Sequence, residues 1–265
     1  MAEKILIINA DDYGVTPQVS KGIRECHDHG VLTSTTAMMN VGGTVTDLRR
    51  ARIETPDMGL GVHLVMTGGT TALSPSCEIR TIVDEHGSFV PTLEQFYSSL
   101  ETINPEHVYL EWKRQIEKML EAGFVPDHLD SHHHASYRNR ATLEPFMALA
   151  REYNLPVRRA PAKWASVWND AETVRTTDML ETNFFGSAFT LNGFKAYLDN
   201  LTVGTHEVMV HPGHNDERLA KLSSYTIGRE NEHKIITSPV IVRAVAANNI
   251  QLKTFREVFE AEHAH

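Results

Sequence analysis

The sequence predicts an α/β protein with a mainly parallel sheet and outer helices, closed as a barrel or left open. Strand-like apolar runs alternate with helix-like periodic segments along the chain, which is typical of parallel α/β folds. Acids or histidines terminate or closely follow four of the strand-like runs, where α/β barrels place their sites. A chain of 265 residues has the length of a single-domain barrel. We therefore predict one domain over residues 1–265.

The amino-terminal part begins with a strand, a loop and a helix. The apolar run at Lys4–Gly14 ends on the adjacent acids Asp11 and Asp12. Thr16-Pro17 then has the pattern of a helix cap and first turn, with apolar residues at helical spacing up to Gly30. Next come a strand at Thr33–Met39, a helical stretch around Val45–Ile53, a strand at Gly59–Val65 containing His63, and a long loop at Met66–Pro91.

The carboxy-terminal part begins with a strongly periodic helix at Pro105–Ala122, which Gly123 ends. A histidine-rich stretch, Asp127–His134, follows. The remaining segments are a helix at Leu143–Tyr153, a strand at Pro156–Arg159, a poorly patterned middle at Ala160–Phe189, a helix near Phe194–Asn200, a strand at Glu207–Val210 ending on His211, a helix at Pro239–Asn248, a strand at Ile250–Leu252 and a helix at Phe255–Ala261.

Composition limits the classes of molecule that this protein could bind. With 25 basic and 34 acidic residues, the net charge is −9, which gives no basic face for nucleic acid; a sugar or other small polar substrate fits better. The two cysteines, Cys26 and Cys77, have no C-x-x-C spacing, so neither a disulfide framework nor a cysteine zinc site is indicated. No leader precedes Lys4 and no run approaches the ~18 apolar residues of a membrane span. We expect a soluble, cytoplasmic protein without membrane contact.

The polar residues at strand ends suggest metal-assisted hydrolysis. One carboxylate and two imidazoles are a common ligand set for a catalytic divalent metal. Successive side chains of an extended segment point to opposite sides, so one of Asp11 and Asp12 would bind metal and the other would take a proton from water. Asp130 lies two residues before His132, so it could support the site or act as a ligand. His211 is the candidate acid for the leaving group.

Five motif groups occur together in this chain. They are Asn9-Ala10-Asp11-Asp12-Tyr13-Gly14, Gly30-x-x-Thr33-Ser34-Thr35, Gly61-x-His63-Leu64 with Thr67-x-Gly69, His128-Leu129-Asp130-Ser131-His132-His133-His134, and His211-Pro212-Gly213. In this combination the chain resembles the YdjC-like carbohydrate deacetylase family, which includes bacterial chitooligosaccharide deacetylases. The resemblance covers Ile5 to about Phe255. The family's further histidine after the last of the histidine run is absent here, where Ala135-Ser136-Tyr137 stands.

The resemblance implies a TIM-barrel-related (β/α) fold, distorted or incomplete, and the removal of N-acetyl groups from an amino sugar or chitooligosaccharide. Carried over by position, it makes Asp12, His63 and His132 the metal ligands and Asp11 the base. His211 as the acid is a weaker transfer. The metal implied is one Mg²⁺, although two imidazoles equally suit Zn²⁺ or another transition ion.

Each residue also has a plainer interpretation. Asp11 and Asp12 could cap the helix that follows Thr16, and His63 could be a core histidine. If the segment after Asp130 stays extended, alternation sends His133 away from the site. His134 is a possible wall of the site or a group that supports the ligands from behind, and His211 could be a turn residue. Arg158 could hold Asp11, bind an anionic sugar substituent or pair structurally, and Trp164 and Trp168 could stack on sugar rings or pack in the core.

Two other function classes stay open at this point. A phosphoesterase or sugar isomerase could use the same strand-end residues, although a two-metal hydrolase normally has more carboxylate ligands. A non-catalytic sugar-binding protein is the third hypothesis. The sequence leaves the identity of the sugar, the role of Arg229 and the choice between a monomer and a homodimer open.

Overall fold

The computed structural model describes residues 3–168 and 174–260. Within these residues the strands are β1 (Lys4–Tyr13), β2 (Ser34–Ala37), β3 (Gly59–Leu64), β4 (Leu129–Ser131), β5 (Met179–Glu181), β6 (Gly204–Val210) and β7 (Ile250–Leu252). The α-helices are α1 (Pro17–His29), α2 (Thr44–Glu54), α3 (Leu93–Ser99), α4 (Pro105–Glu121), α5 (Arg140–Glu152), α6 (Ala165–Trp168), α7 (Leu191–Asp199), α8 (Leu219–Leu222), α9 (Ile227–Ile236), α10 (Pro239–Ala247) and α11 (Phe255–Phe259).

The strands form one parallel sheet in the order β4-β3-β2-β1-β6-β5, and β7 also pairs with β1. One edge of β1 pairs with β6 over Lys4–Ala10. β7 pairs with Lys4–Leu6, near the start of β1. β2 pairs with β1 further along the strand, at Asn9–Tyr13. The predicted barrel-like fold with a parallel sheet and outer helices is therefore confirmed, in a distorted form.

Strand β1 is central in the sheet, and both of its faces are covered. Leu6, Ile8 and Ala10 lie in the main hydrophobic core, whereas Ile7 packs against Phe255 of α11. Alternate residues of a strand point to opposite faces, and a parallel sheet needs apolar residues on both. The unbroken apolar run that opens the sequence is the direct consequence.

Helix α1 begins as the Thr16-Pro17 pattern predicts. The Thr16 side chain accepts a hydrogen bond from the backbone N–H of Val19, and Pro17 occupies the first turn. Because Thr16 supplies the cap, Asp11 and Asp12 are not needed there. The plainer interpretation of the two acids as helix caps is therefore wrong.

The long loop at Met66–Pro91 is held against the fold by a buried carboxylate. Glu111 of α4 is fully buried and accepts hydrogen bonds from the backbone N–H groups of Leu73 and Ser74, at 3.0 Å and 2.8 Å. A buried carboxylate needs such partners. The predicted loop is therefore irregular in conformation but anchored at this point.

Some elements differ from the sequence prediction. The strand expected at Pro156–Arg159 is reduced to a single parallel bridge between Val157 and Leu129. The pattern did not reveal α3, α8, α9 or the short strand β5, which lies in the poorly patterned middle. The last helix was predicted over Phe255–Ala261. In the structure α11 ends at Phe259, and Ala261 lies outside the described residues. Among the residues described, none of the helices combines the length and apolar character of a membrane span.

Candidate active site

The carboxyl ends of four strands meet at one rim of the sheet. β1 carries Asp11 and Asp12, β3 carries His63, His132 follows β4, and His211 follows β6. A cleft of about 450 Å³ opens above them, and all of these residues except His63 line it. His63 lies just beneath and is 1% exposed. The five site residues predicted from the sequence are thus brought together, as parallel strand ends require.

Three of these residues converge on one point. Asp12 Oδ1 lies 3.3 Å from His63 Nε2 and 3.1 Å from His132 Nδ1, and the two nitrogens are 3.3 Å apart. Such separations are those of neighbouring ligand atoms on an ion about 2.1 Å from each. Asp12 Oδ1 is also buried without a hydrogen-bond partner. The residues present therefore fit a divalent metal ion.

The orientation of these three side chains is set by further contacts. Asp130 Oδ1 lies 2.7 Å from His63 Nδ1, which leaves Nε2 facing Asp12. Thr36 donates to Asp130 Oδ2 at 3.0 Å, and Arg229 Nη2 donates to Asp12 Oδ2 at 2.6 Å. Carboxylate partners of this kind fix the ring orientation of metal-binding histidines. From the sequence, Asp130 could either support the site or act as a ligand. Its contact with His63 favours the supporting role.

The charged groups around Asp12 and His63 favour a positive charge between them. Burial alone would lower the pKa of His63, but the neighbouring carboxylates, chiefly Asp130, raise it to about 10. Burial would likewise raise the pKa of Asp12, yet the Arg229 guanidinium and His132 hold it well below its usual range. A site that stabilises an imidazolium among ionised carboxylates would stabilise a bound cation for the same reason.

Asp11 is held apart from Asp12, His63 and His132. Arg158 donates two hydrogen bonds to Asp11, from Nη1 to Oδ2 and from Nη2 to Oδ1, both of 2.7 Å. Asn9 Nδ2 donates to Asp11 Oδ1 at 3.0 Å. Burial opposes ionisation of Asp11, but the Arg158 charge overrides it and lowers its pKa below the usual range. Asp11 is therefore an oriented, ionised carboxylate.

Arg158 is itself enclosed by acids. Its Nε donates to Glu207 at 2.6 Å and its Nη1 lies 2.7 Å from Asp130 Oδ2, and only 1% of the residue is exposed. Such a guanidinium has no free edge for an anionic sugar substituent. Of the three roles considered from the sequence, the contacts of Arg158 support two, which are holding Asp11 and pairing structurally with buried acids.

Asn9, which donates to Asp11, is itself held by His128 and, through it, by Asp127. His128 Nε2 is 3.1 Å from Asn9 Oδ1, and His128 Nδ1 is 2.6 Å from Asp127 Oδ1. The His128 ring stacks on Phe255 at 3.9 Å. Asp127 and His128 therefore fix the amide of Asn9, and Asn9 in turn fixes Asp11.

His211 has a looser environment than Asp11. Its Nε2 lies 3.8 Å from Asp11 Oδ2, its Nδ1 is buried without a partner, and its backbone N–H donates to Glu232 at 2.5 Å. Burial, which disfavours the imidazolium, lowers the pKa of His211 to about 4. The ring is therefore neutral at pH 7, and its Nε2 faces the cleft beside Asp11.

A family model described as YdjC-like protein matches residues 5–247. The chain belongs to the YdjC-like family. Among its relatives, a carbohydrate deacetylase of Thermoanaerobacter pseudethanolicus is 34% identical over 252 residues, covering 95% of this chain and 98% of the relative. A carbohydrate deacetylase of Enterococcus faecalis is 35% identical over 269 residues, covering 97% and 99%. The family prediction made from the motifs is confirmed.

Solved structures agree with this. An Enterococcus faecalis protein described as a proposed cellobiose-phosphate cleavage protein superposes with a TM-score of 0.91 at 34% identity, covering 97% of this chain and 99% of that one. A family 4 acetyl xylan esterase from Clostridium thermocellum, solved with a cobalt ion, has a TM-score of 0.53 at 12% identity, covering 99% and 93%. The second likeness concerns the fold alone.

The histidine-rich motif of this YdjC-like chain does not stay extended. After Ser131 the backbone turns through a 3₁₀ segment, His132–Tyr137, in which His133 and His134 have left-handed φ values of 57° and 51°. The expectation that alternation sends His133 away is therefore wrong, because the condition of an extended segment fails. Both residues line the cleft.

The two extra histidines have different surroundings. His133 Nδ1 lies 2.9 Å from Thr67 Oγ1, and its ring lies 3.8 Å from that of His132. Burial and then the charge of His132 lower the pKa of His133 to about 2. His134 Nδ1 is buried without a partner, and its ring lies 5.6 Å from Trp164. His134 thus forms part of the cleft wall, as predicted.

The cleft walls are aromatic on two sides. Trp164 and Tyr97 line one side, and Phe185 and Tyr225 line the other, stacked on each other at 4.1 Å. Trp164 is half-buried with the Arg138 guanidinium 3.7 Å from its ring centroid. Aromatic faces of this kind present both apolar area and polar edges. The side chain of Trp168 lies outside the described residues.

The sequence left the role of Arg229 open and did not single out Glu232. Arg229 contacts Asp12, and Glu232 accepts hydrogen bonds from the His211 backbone and from the hydroxyl of Tyr225. Burial raises the pKa of Glu232 to about 7. Both residues lie on α9, three positions apart, so they share one helix face. That spacing was visible in the sequence, but α9 itself was not.

Proposed function

We propose that this YdjC-like protein is a metal-dependent hydrolase that removes N-acetyl groups from an acetylated amino sugar or chitooligosaccharide in carbohydrate breakdown. The observation that carries the proposal is the convergence of Asp12, His63 and His132 beside a separately held carboxylate, Asp11. The enzyme class has direct support, since curated relatives that match 95–97% of the chain are carbohydrate deacetylases.

Asp12, His63 and His132 would hold one divalent ion. When bound, this ion supplies Lewis acidity to the acetyl carbonyl. Family resemblance favours Mg²⁺, while the two imidazole ligands equally suit Zn²⁺ or another transition ion. Asp12 Oδ1 is buried beside the two imidazole nitrogens without a hydrogen bond of good geometry. This supports a cation at this position, because a buried carboxylate oxygen needs a compensating partner.

Asp11 is the proposed general base. It accepts a proton from the water that attacks the acetyl carbonyl carbon, and the carbon–nitrogen bond then breaks to give acetate and an amine. Arg158 and Asn9 leave Asp11 ionised and fixed in direction. A low pKa makes Asp11 a weak base in itself, so its contribution rests on orientation as much as on basicity.

His211 is the proposed acid that protonates the departing nitrogen. Because its pKa is lowered to about 4, the ring starts neutral at pH 7 and needs a proton during turnover. Asp11 Oδ2, 3.8 Å from His211 Nε2, is positioned to pass on the proton taken from water. The proton balance of the reaction then closes within the pair Asp11 and His211.

The substrate would lie between the aromatic walls. Trp164 and Tyr97 on one side, with Phe185 and Tyr225 on the other, suit the apolar faces of sugar rings. The net charge of −9 is consistent with a small-molecule partner rather than nucleic acid. We further propose a single domain, since the sheet joins β1 to β7, and a cytoplasmic location. A monomer and a homodimer are both compatible with this proposal.

The test is acetate release from N-acetylglucosamine and its oligomers, with and without a sugar phosphate, after reconstitution with Mg²⁺, Zn²⁺ or Co²⁺. We expect release that a chelator abolishes and metal restores. The absence of acetate for every sugar and ion would contradict deacetylation. Within the described residues, the Asp12, His63 and His132 cluster offers one carboxylate, and the overlapping cluster of Asp11, His63 and Asp130 has both of its carboxylates paired with Arg158. We therefore do not favour a two-metal phosphoesterase.

A further inference from the structure

A second cluster of ligand-type side chains lies outside the cleft. Glu25 of α1, His214 in the loop after β6, and His233 of α9 place their donor atoms within 4.8 Å of one another. Glu25 Oε2 lies 2.5 Å from His214 Nε2 and 3.1 Å from His233 Nε2. The two rings are 4.8 Å apart. Three separate elements thus direct one carboxylate oxygen and two imidazole nitrogens to one point.

These donors are accessible to an ion from solvent. Their side chains are between 19% and 33% exposed, and none of the three lines the cleft. Lys21 contacts the other carboxylate oxygen of Glu25, at 3.5 Å, and so leaves Oε2 to the histidines. One carboxylate with two imidazoles suits Zn²⁺ and other late transition ions, with water completing the coordination.

The position of the cluster connects it to the loop of His211. His214 follows His211 by three residues, and the intervening Gly213 packs on α1 so closely that a Cβ on Gly22 would lie 2.7 Å from its Cα. The backbone N–H of Gly213 also donates to the Arg229 carbonyl at 3.2 Å. An ion held by the cluster would therefore join this loop to the two helices, α1 and α9, that contact it.

We propose that Glu25, His214 and His233 form a second divalent-metal site, of structural type and suited to Zn²⁺, that fastens the His211 loop to α1 and α9. The competing explanation is a metal-free ion pair in which Glu25 accepts a hydrogen bond from each ring. The proposal does not depend on the deacetylase function, because the site is separate from the cleft and its occupancy is measured directly.

The experiment measures Zn²⁺ bound to the full chain by equilibrium dialysis and elemental analysis. His214→Ala/His233→Ala removes two ligands of the cluster, whereas His29→Ala removes an exposed histidine at the end of the same α1 helix. We expect the double variant to bind one zinc equivalent fewer than the His29→Ala control. Equal zinc content in the double variant and the control would overturn the proposal.

Two further measurements guard against misfolding of the double variant. Glu25→Gln keeps the side-chain shape but weakens the ligand, and should lower zinc affinity by at least ~10-fold with an unchanged circular dichroism spectrum. In crystals soaked with Zn²⁺, an anomalous-difference peak at the zinc edge should lie among Glu25, His214 and His233. Zinc bound elsewhere in those crystals, with no peak at this cluster, would overturn the proposal.

Discussion

The two residues proposed to move protons, Asp11 and His211, lie 3.8 Å apart in opposite kinds of environment. Asp11 receives three charged or amide hydrogen bonds from Arg158 and Asn9, so its ionised form is stabilised and its direction fixed. His211 has a buried ring nitrogen without a partner, so burial keeps it neutral. The comparison shows how one cleft can hold an ionised carboxylate beside an uncharged imidazole before a proton is transferred.

The largest effect should come from Asp11. Asp11→Asn keeps the shape but removes the base, so kcat should fall by ~10²–10⁴-fold while metal binding is largely retained. Asp12→Asn is the matched control, because it should lose metal as well as activity. Acetate release and metal content of the purified variants measure the two effects. If both variants lost metal equally, the division of roles between the two acids would be wrong.

The next effect concerns Arg158. Arg158→Met leaves Asp11, Glu207 and Asp130 buried without their shared cation, and breaking a buried ion pair of this type costs about 3–5 kcal/mol. Urea denaturation measures the loss in the free energy of unfolding. Arg159→Met is the neighbouring control, since Arg159 is partly buried and contacts a backbone carbonyl of Thr177 at 3.4 Å. A loss no larger than that of the control would contradict this account.

His211 should show a distinct dependence on pH. Its pKa is lowered to about 4 from the usual 6.5, so the unfolded chain binds a proton more readily than the folded protein. The resulting stability is present above pH 6.5 and is lost as the pH falls towards 4, by about 3 kcal/mol in total. The wild type should therefore lose more stability over this range than His211→Asn does.

The control for this pH effect is His86→Asn, because the His86 side chain is 80% exposed. Its free energy of unfolding should follow that of the wild type from pH 7 to pH 4. Parallel wild-type and His211→Asn curves would instead mean that burial does not hold His211 neutral, and the contrast with Asp11 would fail.

The smallest effect should come from Asn9. Asn9→Ala removes one of three hydrogen bonds to Asp11 and leaves Arg158 in place, so kcat should fall by only ~10-fold. Loss of a donor also raises the pKa of a carboxylate, so the acid limb of the pH–rate profile should move to higher pH. A lower rate with an unmoved acid limb would indicate a packing effect rather than a role in holding Asp11.

Much of the site was predictable because parallel strands order their carboxyl ends. Asp11, Asp12, His63, His132 and His211 each stand at or just after an apolar run, and the structure brings them to one rim. The family was also predictable, since its motifs span nearly the whole chain. The roles of these residues remain proposals.

Other parts could not be predicted from local pattern. β5 has three residues and is partly exposed, so it carries no clear apolar signal. The turn after Ser131 depends on left-handed residues His133 and His134, and this backbone conformation is uncommon for residues other than glycine. An alternation argument fails wherever a strand ends earlier than its polar motif does.

Residue order alone was sufficient for the parallel α/β class, the family and the positions of the acids and histidines at the strand ends, because apolar periodicity and short motifs are local properties. Tertiary packing was needed to pair Arg158 with Asp11 across 147 positions and Arg229 with Asp12 across 217 positions. Charge pairing inside a protein depends on distance and burial. Neither quantity exists until the chain has folded.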